Sequence, residues 1–217
     1  MKILHAAIFS LLCFAAAPAD AKQRPKRQPA AAFTAISPVF GQLVMFSQPA
    51  NFVVAFEQAT EARYIREAVP KGETVDKWTE MITVTGAKGL AAKKDVTPQT
   101  FAADIAAGFK KTCPDTITAK SLGSAKFGDQ DAFIAIASCG IVVSSADKHS
   151  ETALIIAVKG ASDYYTIQWA ERTEASAENL TIDEPKWRER LARLMPIRFC
   201  PIVPGEKAPF PSCISRE

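Results

Sequence analysis

Three carboxylates in one stretch, Glu67, Glu73 and Glu80, are the residues here that come nearest to a catalytic arrangement. Two carboxyl groups at a set separation across a sugar-sized cleft would do glycosidase chemistry, one as acid and one as base or nucleophile. All three lie near one expected hairpin and could in principle converge at a sheet edge. The competing reading is the wet face of a strand, where acidic residues alternate with buried ones. Other patterns are weaker. Ser145 and Lys148 match the bare S-x-x-K of penicillin-recognising serine enzymes, but they fall in a polar turn and the companion S-D-N and K-T-G elements are missing. His149 shares that turn without a G-x-S-x-G elbow, so it reads as a loop histidine. Gly86 and Gly89, followed by Lys93 and Lys94, lack the Gly-Lys-Ser/Thr ending of a Walker loop, which leaves a weak phosphate-binding turn. No residue is assigned a catalytic role, and no cofactor or metal is implied.

The cysteines carry more information. Cys13 sits in a leader, and Cys113, Cys139, Cys200 and Cys213 follow. No two are close enough for a Cys-x-x-Cys redox pair, and the one histidine beyond the leader is too few for a zinc site. An even set in an oxidising compartment reads as two disulfides with three connectivities. Sequence order and expected element ends favour Cys113–Cys139, pinning a helix end to a strand end, and Cys200–Cys213, closing a tail that holds Pro201, Pro204, Pro209 and Pro211. The first bridge is expected to matter more to stability, because the tail loop lies outside the expected core.

The leader supports that compartment. Lys2 precedes an apolar run over residues 8–17, too short to span a bilayer, and Ala19 and Ala21 offer the small side chains a signal peptidase accepts. Cleavage is expected after Ala21, placing the protein in the periplasm or outside the cell. No later stretch is apolar enough for a transmembrane segment, so the mature chain is expected to be soluble. Its net charge of +3 is too mild for a nucleic-acid partner. The basic run Lys22, Arg24, Lys26 and Arg27 reads as a flexible leader over 22–38, and its functional alternative is contact with anionic envelope components.

Period-2 alternation predicts strands over 40–46, 52–57, 64–69, 78–85, 116–122, 132–139, 153–159 and 164–171. A helix is predicted over 98–112, with Thr97 as N-cap, Pro98 at the first position and Phe101, Ile105 and Phe109 in one stripe. A second, over 184–195, is capped by Asp183 and turns Trp187, Leu191, Leu194 and Met195 to one side. The fold class is therefore α+β: an antiparallel meander with two packed helices, one domain over 39–199 and a disulfide-closed tail over 200–217. Trp78, Tyr164, Tyr165 and Trp169 form the aromatic set. Core packing accounts for them, and the alternative is an aromatic-lined binding face.

The segment from Glu67 to Glu73, with Pro70 and Gly72, then Trp78, Cys113 and Cys139, is similar to a group of secreted proteobacterial proteins. So is the later stretch with Glu151, Leu154, Gly160, Tyr164, Tyr165, Glu171 and Arg172. The element order over residues 40 to 200 resembles the Mog1/PsbP-like α/β/α sandwich. That resemblance implies a binding or assembly module rather than an enzyme, and it transfers no catalytic residue. The function expected is thus a non-enzymatic binding or assembly module of the cell envelope, its partner an envelope protein. The alternatives are a carrier of a small apolar ligand, held between helix 98–112 and the sheet, and an unrecognised hydrolase.

Overall fold

A computed structural model describes residues 31–143 and 147–215. The signal segment, the basic cluster from Lys22 to Arg27 and Ser145 lie outside those residues.

The ten strands among the described residues pair antiparallel and divide into two sheets. The smaller holds β1 (Ala32–Val39), β2 (Gln42–Pro49) and β10 (Arg198–Pro201), in the order β1-β2-β10. The larger holds β3 (Phe52–Ala59), β4 (Arg63–Pro70), β5 (Glu80–Ala87), β6 (Ile117–Phe127), β7 (Gln130–Cys139), β8 (His149–Lys159) and β9 (Tyr164–Glu174). Its order, β3-β4-β5-β9-β8-β7-β6, corrects the single meander expected from sequence. After β5 the chain passes through α1 (Pro98–Thr112), crosses the sheet face to the far edge and begins β6. It then walks back strand by strand until β9 pairs with β5. The α+β class stands, as two short meanders closed on each other.

β1 and β10 were not anticipated. β1 takes up residues 32–38 of the expected leader, so the folded domain begins ahead of residue 39. β10 carries the proline-rich tail into the small sheet at its edge, where Pro201 needs no donor. The tail ends in a single turn of helix, α3 (Pro211–Ile214). Trp78, expected to start β5, precedes it in the loop over residues 71–79.

Alternation gives each strand of the large sheet two faces. Tyr165, Ile167 and Trp169 of β9, with Leu154, Ile156 and Val158 of β8, pack on Val44 and Phe46 of the small sheet and on Trp187 and Leu194 of α2 (Glu184–Leu194). The opposite face presents Ala137, Ala153, Ile155, Ala157 and Ala170 to Phe101, Ala102, Ile105 and Phe109 of α1. Alanines there let the helix approach closely. A third cluster lies beyond the small sheet, where Leu43 and Met45 meet Cys200 and Cys213. The layers run α1, large sheet, small sheet with α2, and tail.

The helix signals have direct structural causes. Thr97 and Thr100 form a reciprocal cap: Thr100 N–H donates to Thr97 Oγ1 at 3.1 Å, and Thr97 N–H donates to Thr100 Oγ1 at 2.9 Å. In α2, Lys186 N–H donates to Asp183 Oδ1 at 3.2 Å, and Arg188 pairs with Glu184 one turn away. Met195, expected on the buried side, is 44% exposed because α2 ends at Leu194. Both disulfides join the expected cysteines, with Cα–Cα distances of 5.7 Å for Cys113–Cys139 and 5.6 Å for Cys200–Cys213.

Candidate functional site

Strand parity separates the three carboxylates. Glu67 of β4 stands opposite Thr83 of β5, three residues beyond Glu80. An odd separation along a strand puts two side chains on opposite faces. Glu67 therefore points to the α1 side, while Glu80 points to α2 and pairs with Arg190 at 2.5 Å. Glu73 accepts from Thr79 N–H and Oγ1, each at 2.7 Å, which shapes the loop ahead of β5. The expected convergence of Glu67, Glu73 and Glu80 is not what the fold makes.

Glu67 instead shares a cleft with Glu151 of β8, which lies three strands away on the same face. α1 lies mainly over β7 and β8 and covers the β4, β5 and β9 part of that face less. The 71–79 loop folds over this remainder and encloses a cleft of about 300 Å³. Val75 and Trp78 from the loop form one wall and Phe109 of α1 the other. Met81, Ala153 and Ala170 make an apolar floor, with Thr83 and Gln168 as its polar part. A second hollow of about 270 Å³ opens beyond Phe109, and Glu151 borders both.

The charges are unevenly matched. Glu151 lies directly across from Arg172 in the β8–β9 register, and Arg172 Nε donates to Glu151 Oε2 at 3.3 Å. The same guanidinium stacks on Trp78, 3.8 Å from the ring centroid, and Nη1 reaches the Asp76 carbonyl at 3.4 Å. His149 stands beyond: Nδ1 donates to Asp147 O at 2.7 Å, and Nε2 lies 3.8 Å from Glu151 Oε2. Glu67 has no hydrogen-bond or ion-pair partner among the described residues. Burial and the charge of Glu151 hold its carboxyl above the usual carboxylate range.

The aromatic set does not form one face. Tyr164 and Tyr165 are consecutive and point to opposite sides of β9. Tyr164 OH donates to Val96 O at 2.7 Å, and its ring meets Phe101 edge-on at 5.0 Å, which fixes the entry to α1. Tyr165 donates to Asp163 Oδ2 at 3.3 Å and packs against Phe199. Trp169 lies between the edge-on ring of Phe52 and the guanidinium groups of Arg190 and Arg193. All three are fully buried, and of the four expected residues Trp78 alone borders the cleft.

The glycine turn is also occupied by the protein itself. Gly89 N–H donates to Asp163 Oδ1 at 2.7 Å, so a buried carboxylate sits where a phosphate would bind. Among the described residues, no group of three or more His, Cys, Asp or Glu could hold a metal, and no helix is long and apolar enough to cross a membrane.

Sequence reasoning missed Glu151 and Arg172 as site residues, and read Phe109 only as core. The available signal was a polar, charged end on each of two strands with apolar middles, Glu151 in β8 and Arg172 in β9. Only the β8–β9 register makes them a pair.

No family model matches the chain, and no curated protein matches it. Among solved structures the chain is similar to a mutant of the protein Mog1, at 9% identity and a TM-score of 0.39. It is also similar to the Saccharomyces cerevisiae Ran-binding protein Mog1p, at 8% identity and a TM-score of 0.40. Each alignment covers 76% of this chain and 86% of the other. Likeness at this level says nothing of a shared partner or activity.

Proposed function

We propose that the protein is a non-enzymatic binding module of an oxidising compartment, periplasmic or secreted, with the cleft beneath the 71–79 loop as its ligand site. One observation carries the reading: Glu67 and Glu151 both line a cleft walled by Trp78 and Phe109, close enough for the charge of Glu151 to act on Glu67. Holding an unpaired carboxylate partly out of water works against folding, and such groups concentrate at functional sites. Concave sites with apolar walls and a few convergent polar groups are the usual form of a ligand pocket.

The two disulfides suit an oxidising compartment, as does the signal-like start of the sequence. A purely apolar cargo fits this lining poorly, because its entry would strip water from both carboxylates without replacing their hydrogen bonds. A glycosidase pair of Glu67 and Glu80 would need the two to converge, and they lie on opposite faces.

The test is a fragment screen on the oxidised mature chain, read by amide chemical shifts. Bound fragments should shift amides near Glu67, Trp78, Phe109 and Glu151. Hits gathered instead in the hollow between Pro98 and Lys126, or in the one beside Arg198 and Phe127, would overturn the assignment.

A further inference from the structure

We propose that this cleft takes a ligand with one cationic head on a short apolar stem, the head seated against Glu67. The inference rests on reading the cleft as a binding site, and it adds the chemical class.

The charge balance selects the sign and the number of heads. Glu151 already has Arg172, which is itself fixed by Trp78 and the Asp76 carbonyl. Among the described residues Glu67 has neither a cation nor a donor. An anionic ligand would add a third negative group beside two carboxylates. A neutral ligand could donate a hydrogen bond to Glu67 but would leave its charge uncompensated. A cation at Glu67 supplies the missing partner in a partly desolvated site, where a charge-assisted hydrogen bond is stronger than in water. It also screens the repulsion between Glu67 and Glu151, which is among the causes of the raised Glu67 carboxyl. A second cationic head would compete with Arg172 for Glu151.

The stem follows from the lining. Met81 and Ala170 lie on the floor and Val75 on the wall, an apolar surface beside the carboxylate. An alkyl chain attached to the head leaves water there as the head reaches Glu67. A primary alkylammonium has this form, whether as a free amine or as the side chain of a lysine presented by a partner.

The test uses the mature chain with both disulfides formed and a matched series of probes: n-pentylamine, n-pentanol and pentanoate, followed by amide chemical shifts. The amine should bind at the cleft about tenfold more tightly than the alcohol, and the carboxylate more weakly than either. Glu67→Gln should remove most of the amine's advantage and leave the alcohol unchanged. Nα-acetyl-lysine N-methylamide distinguishes the sources. Tighter binding than pentylamine assigns the head to a partner's lysine, and weaker binding assigns it to a free amine. Equal affinity of amine and alcohol at the cleft would overturn the cationic class and leave the binding site standing. Absence of any probe from the cleft would overturn the site itself.

Discussion

The guanidinium of Arg172 lies 3.8 Å from the centroid of the Trp78 ring. This contact joins β9 to the loop ahead of β5, and it sets the height of the cleft wall. Because Arg172 also donates to Glu151, one side chain positions the aromatic wall and neutralises one carboxylate.

Arg172→Gln is expected to cost about 1–2 kcal/mol, since it removes a cation–π contact and leaves Glu151 without its cation. A double-mutant cycle with Trp78→Leu, read by urea unfolding, should give a coupling of about 0.5–1 kcal/mol. A coupling near zero would mean that the stack does not hold the loop.

Glu67→Gln should stabilise the fold at neutral pH, by under about 1 kcal/mol once solvent screening is allowed for. The folded-state carboxyl is raised above its ordinary 4.5. The folded state therefore holds the proton over a range where the unfolded state has lost it, and stability falls as pH rises through that range. The gain from Gln should be present above the raised value and vanish well below 4.5. Glu151, Arg172 and His149 are the charged or titratable neighbours that set the background. Denaturation at acidic and neutral pH checks the sign, and a loss of stability at neutral pH would contradict it.

Glu171 ties α2 to the large sheet. Its side chain is 9% exposed, bonds to Lys186, and accepts from Arg190 Nε at 2.8 Å. Glu171→Ala removes one partner of a buried ionic cluster and should cost about 3 kcal/mol. Glu80→Gln should cost clearly less, because burial already pushes the Glu80 carboxyl up and Arg190 keeps Glu171. Equal losses in thermal or chemical unfolding would count against this ranking.

The two disulfides should contribute comparably. The loop they close, 26 residues for Cys113–Cys139 and 13 for Cys200–Cys213, enters only through its logarithm. Chain entropy then predicts about 3.5 and 2.9 kcal/mol. The weaker role expected for the tail bridge does not follow, because Cys200 and Cys213 are buried against Leu43 and Met45. Pairwise Cys→Ala variants check this, and non-reducing peptide mapping checks the pairing. Losses differing by more than about 2 kcal/mol would restore the unequal ranking.

Local chemistry made much of this fold legible. Thr97 with Pro98 and Asp183 with Glu184 marked the helix starts, since capping uses side chains within one turn. Alternation in 52–57 and 164–171 marked strands, and the four cysteines pointed to the pairs that form. β1 and β10 escaped notice for the same reason. Each is short or proline-bearing and is stabilised by β2 rather than by its own pattern.

The site belongs to tertiary structure. By itself the sequence determined that Tyr164 and Tyr165 must part company and that Glu67 lies on one face of its strand, because side-chain direction alternates along any strand. It could not determine which strands are neighbours. The return of β9 to β5 after the α1 crossover sets Glu151 across from Arg172 and brings Glu67 within its field. Pairing between strands is a balance over the whole sheet, settled by which faces α1 and the small sheet must cover. No stretch of local sequence contains that balance.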